Sequence, residues 1–235
     1  MTNWSPQQDG ALKAVAAWLG EVGVTRRLSG KRPAKQVFRL FGFAGTGKTT
    51  LVRHLAGDIE GDVAFAAYTG KAALVMREKG CADASTIHSL IYRPRQPTKE
   101  AEDEEPAFVI NRQSAASEAK LIVIDECSMV DADLGKDLLS FGVPVLVLGD
   151  PAQLPPVKGG GYFTEAEPDV MLTEVHRQAR DNPIVEMASI VREGGRLTRG
   201  TYGDSRVIGR RDIDATQVLA AGQVLVGMNR SRRAY

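Results

Sequence analysis

Cysteine is scarce in this sequence. There are two in 235 residues, Cys81 and Cys127, far apart and without metal or redox spacing. A disulfide framework is not expected, and a reducing compartment fits. Long apolar runs are missing as well. None approaches the ~20 residues that span a bilayer. The N-terminal stretch MTNWSPQQDG is polar and lacks the apolar core of a secretory leader. The expectation is a soluble, cytoplasmic chain with no membrane partner. An excess of one charge is also lacking: 30 Lys and Arg stand against 29 Asp and Glu, for a net charge of +1. Composition alone therefore does not point to nucleic acid. No internal repeat of 20 to 50 residues is present.

The charge that is there is unevenly spread. TRRLSGKRPAK (25–35), SRVIGRRD and NRSRRAY are basic, and KEAEDEEP (99–106) is acidic. Taken singly, each run reads as a solvated face. The length falls between one and two ordinary domains. A chain of this size buries roughly 70% of its unfolded surface without staples.

Short apolar runs alternate with longer amphipathic stretches. QVFRLFGF, DVAFAAYT, LIVIDE and VPVLVLGD are almost continuously hydrophobic, as strands buried on both faces of a parallel sheet are. SPQQDGALKAVAAWLGEV, GKTTLVRHLAGDI, GKAALVMREKG and ADLGKDLLSFG carry helical patterns between them. Ser5 followed by Pro6 reads as an N-cap with proline at the first helical position. The alternation predicts an α/β fold, a parallel sheet flanked by helices. Residues 93–119 break it and read as an insertion on the sheet domain. Within them Phe108 belongs either to a small satellite core or to a tip that stacks on a base. KGGG (158–161) reads as a flexible turn. Beyond it, Asn182-Pro183 starts a helix and Gly194-Gly195 stops it. RVIGRRDI and QVLVGMN read as two further strands.

Residues 42–49, GFAGTGKT, satisfy G-x-x-x-x-G-K-[ST] between a predicted strand and a predicted helix. Gly42, Gly45 and Gly47 let backbone amides turn toward phosphates, with Thr46 and Thr50 in the same loop and helix start. Lys48 reaches the β and γ oxygens, and the Thr49 hydroxyl holds magnesium. The positive end of the following helix faces the same phosphates. The cofactors implied are ATP and Mg2+. LIVIDE (121–126) ends a strand on two carboxylates. Asp125 is the second magnesium anchor, and Glu126 takes a proton from the attacking water or orients it. Adjacent strand residues point to opposite sides, so the chain must turn at the strand's end to bring both to one site.

LGDPAQLPPV (148–157) follows a third apolar strand. Gln153 stands where ligands bind in open α/β sheets and is suited to sense a γ-phosphate. By spacing alone an ordinary Asp-Pro turn is the better reading. Lys71 alone is a solvated helix-start lysine, His88 is a cap or a packed ring, and Arg177 is a surface ion-pair partner.

The order SPQQDGA, GFAGTGKTT, AYTGKAA, STIHSLIY, VIDECSMVD, GDPAQLPPV, LTEVHRQ resembles the motor core of superfamily 1 DNA helicases, closest to the RecD, Dda and Pif1-type branch. The likeness covers about residues 4 to 195 through seven motifs. It implies a P-loop NTPase of RecA-like fold, with one lobe over 1–173 and the beginning of a second, incomplete α/β lobe over 174–235. It implies that Gln8 reads the adenine edge and that Gln153 senses the γ-phosphate. Arg177 then approaches that phosphate from the second lobe. Thr69, Lys71, Thr86 and His88 then touch single-stranded DNA. The insertion falls where the branch carries a strand-separating hairpin.

The activity implied is ATP hydrolysis coupled to 5′-to-3′ translocation on single-stranded DNA. Two other readings stand beside it. One is a DNA-stimulated ATPase without unwinding. The other is a nucleotide-dependent binding or loading module with slow turnover. A missing C-terminal lobe or a protein partner belongs to the same expectation. So does loose or irregular packing over 196–235.

Overall fold

The computed structural model describes residues 4–24, 35–95, 108–157, 159–174, 182–228 and 231. The chain divides into two compact units, Met1–His176 and Arg177–Tyr235.

The first unit is built on a six-stranded sheet in the order β3-β2-β6-β7-β1-β8. Its strands are β1 (Val37–Gly42), β2 (Val63–Ala67), β3 (Ser85–Thr86), β6 (Leu121–Asp125), β7 (Val145–Gly149) and β8 (Val170–Leu172). Every pairing is parallel, with Leu40 opposite both Leu148 and Val170 and Ile124 opposite Val147. Parallel strands need crossovers, and helices supply most of them. These are α1 (Pro6–Glu21), which precedes β1, then α2 (Lys48–Gly57), α3 (Gly70–Glu78), α4 (Ile87–Ile91), α5 (Ala115–Glu118) and α6 (Ala132–Leu139).

Two buried clusters explain why the strand sequences lack polar alternation. Phe38, Leu40, Val123, Leu146 and Leu148 pack on one face with Val15, Trp18, Leu51 and Met76 from α1 to α3. Phe41, Ile122, Ile124, Val145 and Val147 pack on the other with Ile87, Leu134, Leu138 and Phe163. Successive residues of one strand therefore serve opposite cores. Fully burying one such side chain contributes about 1.5–3 kcal/mol. Arg39 is the polar exception in β1. Its Nε donates to the Phe163 carbonyl at 3.0 Å, and its backbone N–H donates to Asp169.

Helix α1 starts as its sequence predicts. Ser5 accepts from the Gln8 N–H at 3.3 Å, and Gln8 Oε1 accepts from the Ser5 N–H at 3.1 Å, a reciprocal capping box. At the insertion, β4 (Tyr92–Pro94) and β5 (Phe108–Ile110) form an antiparallel pair, followed by α5. Phe108 is 63% exposed, which removes it from any satellite core. Gly161 has no room for a side chain. A Cβ at Gly161 would stand 2.7 Å from the Ser128 carbonyl.

The second unit holds α7 (Pro183–Arg192), β9 (Gly200–Tyr202), β10 (Ser205–Val207) and α8 (Ala215–Ala220). Asn182 caps α7 by accepting from the Ile184 N–H at 2.9 Å. The strand expected over RVIGRRDI is limited to β10, paired antiparallel to β9, and Arg210–Asp212 is a 3-10 turn. The strand expected in QVLVGMN is absent, since residues 223–228 have no regular structure. An apolar run becomes a strand only when another strand's backbone completes its hydrogen bonds. No described large apolar side chain is buried in this unit, and Ile184, Val191 and Leu225 are 61%, 55% and 85% exposed. No described helix is long and apolar enough to cross a membrane.

Candidate active site

The carboxyl ends of five parallel strands meet at one edge of the sheet, where ligands bind in open α/β folds. β1 runs into the glycine-rich loop, β6 ends at Asp125, β7 ends at Gly149, β2 leads to Thr69, and β3 ends at Thr86. A cavity of about 610 Å³ opens there. Gly45, Gly47, Lys48, Thr49, Thr50, Asp125, Glu126 and Gln153 line it, with Thr69 and Lys71 on the α3 side.

Loop geometry follows from its glycines. Gly45 and Gly47 have φ of 80° and 82°, the left-handed region that glycine enters without strain. Gly42 is needed for space instead. A Cβ there would stand 2.7 Å from both Cβ and the carbonyl oxygen of Leu172. Gly47 directly precedes α2, whose first-turn amides and dipole favour an anion. Lys48 Nζ donates to the Gly42 and Phe43 carbonyls at 2.6 and 3.0 Å, which holds the ammonium over the loop. Thr46 is buried rather than cavity-lining, and its Oγ1 donates to the Phe43 carbonyl at 2.9 Å.

The two carboxylates are brought to one site by a backbone exception. Glu126 has φ 56° and is the one non-glycine residue with positive φ among those described. This left-handed turn ends β6 and sets Glu126 beside Asp125 along the same cavity wall. Such a conformation costs on the order of 1–3 kcal/mol and persists where the surroundings fix it. Asp125 Oδ1 accepts from the Glu126 N–H at 2.9 Å, and its Oδ2 accepts from the Thr49 hydroxyl at 3.0 Å. Burial raises the Glu126 pKa above the usual carboxylate range. The Asp125 charge adds to this, and Lys48 opposes it. Behind the pair, burial pushes the Cys127 thiol well up, so it stays protonated. A Cβ at Gly149 would meet the Cys127 sulfur at 2.7 Å, so glycine there leaves room for it.

A hard divalent cation such as Mg2+ fits what is present. The Thr49 hydroxyl and the Asp125 carboxylate are adjacent oxygen donors, and magnesium takes few protein ligands alongside phosphate and water. Among the described residues no cluster of three or more His, Cys, Asp or Glu forms a protein-only metal site.

Other predicted residues are distributed less simply. Gln8 does not line the cavity. It is buried, and its Nε2 donates to the Thr46 carbonyl at 3.0 Å, so its amide braces the loop from behind. Asp150 is buried at 1% exposure, and its Oδ1 accepts from the Ala152 N–H at 3.1 Å. Its carbonyl accepts from the Gln153 N–H at 3.0 Å, which turns the chain at the cavity mouth. Thr69 caps α3 by accepting from the Ala72 N–H at 3.2 Å. Thr86 caps α4 by accepting from the Ser89 N–H at 3.1 Å. His88 is exposed, with ring centroids of Tyr68 and Tyr92 at 6.3 and 5.8 Å. Tyr92 is anchored in turn, its hydroxyl donating to Asp137 at 2.5 Å. Arg177 lies outside the described residues. Sequence reasoning missed Val75 and Lys79 on the cavity wall. Val75 within α3 and Lys79 at its C-cap follow Lys71 at helical spacing, the signal that would have found them.

Comparison with known proteins bears on the family and the fold. The model of the AAA domain family matches residues 31–209. The chain is 35% identical over 178 residues to an ATP-dependent RecD2 DNA helicase of Deinococcus radiodurans, covering 72% of this chain and 23% of that protein. It is 30% identical over 189 residues to the ATP-dependent DNA helicase PIF1 of Emericella nidulans, covering 65% and 24%. A structure of Pif1 helicase from Bacteroides in complex with ADP-AlF3 and single-stranded DNA has the same fold. Its TM-score is 0.54 at 22% identity, over 84% of this chain and 48% of that one. The chain thus spans about a quarter of the length of these curated relatives. On the glycine-rich loop, the paired carboxylates, the parallel sheet and these matches, the chain belongs to the AAA domain family and is RecD/Pif1-like, of the superfamily 1 kind.

Proposed function

We propose that this chain is the ATP-hydrolysing part of a DNA helicase motor, with its first lobe over 1–173. The observation that carries the reading is the single cavity shared by Lys48, Thr49, Asp125, Glu126 and Gln153. Lys48 and the loop amides bind the β and γ phosphates of ATP. Thr49 and Asp125 hold Mg2+, which when bound offsets phosphate charge. Glu126 accepts the proton of the attacking water, and its raised pKa suits it to that task. Gln153 hydrogen-bonds the γ-phosphate and reports its presence. Gln8 braces the loop through the Thr46 carbonyl and is the proposed reader of the adenine edge. Arg177 completes the charge around the γ-phosphate.

Single-stranded DNA is the proposed partner. Thr69, Lys71, Thr86 and His88 follow the carboxyl ends of β2 and β3 on the same edge of the sheet as the cavity. The ring of His88 between Tyr68 and Tyr92 offers a stacking surface, and exposed Phe108 offers another. The Bacteroides Pif1 helicase is in complex with ADP-AlF3 and single-stranded DNA together, which supports pairing a nucleotide with a single strand here. Two buried free cysteines suit a cytoplasmic setting. A second reading, hydrolysis without strand separation by this chain alone, is favoured by the lack of a buried apolar core among the described residues of the second unit.

The test is ATP hydrolysis by the 235-residue chain with and without a single-stranded oligonucleotide. Stimulation by the oligonucleotide supports the motor reading. Hydrolysis indifferent to it would overturn DNA as the partner.

A further inference from the structure

The cavity beside the glycine-rich loop has a second wall, made by α3. Ala72, Val75 and Lys79 line it there, facing Thr50 of α2, with Met129 next to the carboxylates. Lys71, Val75 and Lys79 recur every four residues, so one side of α3 and its C-cap turns toward the cavity with a lysine at each end. The other side of α3 is seated in the core, where Ala73 and Met76 are buried with Leu51 and Leu55 of α2.

The far end of this wall is braced. Arg53 Nη1, from α2, donates to the Lys79 carbonyl at 3.1 Å. Gly80 follows with φ 96°, and a Cβ there would stand 2.8 Å from the same Nη1. The N–H groups of Gly80 and Cys81 donate to the Arg77 and Met76 carbonyls at 2.9 and 3.0 Å. These bonds fix the backbone from which the Lys79 side chain reaches the cavity. Lys79 is exposed, and among the described residues no carboxylate pairs with its ammonium.

Sheet order decides which ligand can use the α3 wall. The start of α1 lies against the end of β8, where Gln7 Oε1 accepts from the Thr173 and Glu174 N–H groups at 2.8 and 2.9 Å. Gln8, the proposed reader of the base, is beside it. In the order β3-β2-β6-β7-β1-β8, β1 and β8 stand on one side, and β2, which leads to α3, stands on the other. The carboxylates end β6, the neighbour of β2. Hydrolysis would leave ADP on the loop, its base toward α1, and free the terminal phosphate beside Glu126, on the side of α3. Asp125 and Glu126 repel a free anion there, and the Lys79 ammonium attracts it.

We propose that the part of the cavity between α2 and α3 is a transit site for inorganic phosphate, with Lys79 as the cation that receives the anion after hydrolysis. The inference rests on the ATP reading of the cavity given above. A lysine that only complemented the negative end of a helix would affect stability and leave phosphate binding alone.

The test titrates inorganic phosphate into the chain loaded with ADP and magnesium, by isothermal titration calorimetry, for the wild type, Lys79→Met, Lys79→Arg and Val75→Trp. ADP affinity and Tm are measured on each and are expected to stay those of the wild type. Phosphate affinity is expected to fall about tenfold or more in Lys79→Met, because a charge-assisted hydrogen bond is lost. Lys79→Arg keeps the charge and is expected to keep most of the affinity. Val75→Trp puts bulk between α2 and α3 and is expected to weaken phosphate binding as Lys79→Met does. In a single turnover of ATP it is also expected to delay phosphate release, read with a fluorescent phosphate-binding protein, several-fold behind bond cleavage in the same protein. Wild-type phosphate affinity in either Lys79→Met or Val75→Trp would confine phosphate to the loop and overturn the inference alone. Displacement of phosphate from the wild type by a single-stranded oligonucleotide would make the DNA backbone the anion at this wall, and would overturn it too. A chain that binds no ADP would overturn the nucleotide reading first, and this inference with it.

Discussion

The Thr49 hydroxyl donates to Asp125 Oδ2 across 3.0 Å, linking the first turn of α2 to the end of β6. These two residues come from motifs far apart in sequence, and the parallel sheet brings them together. Strand β7 lies between β1 and β6, so the loop after β1 and the carboxylates after β6 flank a common crevice. Asp125→Asn is expected to raise the magnesium concentration needed for half-maximal ATP hydrolysis by at least about tenfold. A magnesium titration at saturating ATP checks it.

Lys48→Ala removes the ammonium held over the loop by the Gly42 and Phe43 carbonyls. Binding of a fluorescent ATP analogue should be lost along with hydrolysis. Circular dichroism should stay that of the wild type, because Lys48 belongs to no buried apolar cluster. Retained affinity would remove the lysine from the phosphate site.

Glu126 makes a pH-dependent prediction about stability. Its folded-state pKa is raised, first by burial and then by the Asp125 charge. The folded protein therefore holds the Glu126 proton more tightly than the unfolded chain, whose carboxyl titrates near about 4.3. Stability from this group is fully present below that value and is lost as pH rises through the folded pKa. Glu126→Gln carries no such loss. It is expected to melt a few degrees above the wild type at neutral pH, with the gap closing below the unfolded carboxyl pKa. Thermal melts across that pH range decide it.

Gly42 tests packing behind the loop. Leu172 leaves no room for a methyl group, with both its Cβ and carbonyl at 2.7 Å from a Cβ built at Gly42. Gly42→Ala is expected to cost about 1–3 kcal/mol, because backbone must shift. The midpoint of urea denaturation measures this directly.

The proposed DNA surface separates charge from stacking. Lys71→Ala should reduce the salt dependence of oligonucleotide binding by about 0.7 in the log–log slope, one phosphate contact. His88→Ala should leave that slope unchanged and weaken binding by roughly 1–3 kcal/mol, the range for a stacked base. Equal slopes and affinities in all three proteins would remove both residues from the surface.

The main strands were legible because both sheet faces are buried, so QVFRLFGF, LIVIDE and VPVLVLGD show no polar alternation. Helix starts at Ser5 and Asn182 were legible through their caps. β3 and β8 were not, since two and three residues are too few to show a period. QVLVGMN misled because apolar content alone does not supply a pairing strand. At the site, the loop and the carboxylate pair were legible by motif. The left-handed turn at Glu126 was not, because side-chain type does not reveal a φ imposed by tertiary structure. Nor was the use of the Gln8 amide against Thr46, or Gln7 against β8, since both depend on which strand end lies beside α1.

The central claim is that Glu126 turns over an ATP held by the glycine-rich loop. The most direct measurement is a paired determination, on wild type and Glu126→Gln, of ATP affinity and of single-turnover hydrolysis. Affinity is predicted to be unchanged, with hydrolysis slowed about 10²–10⁴-fold, the contribution of a general base. Hydrolysis by Glu126→Gln at the wild-type rate would contradict it.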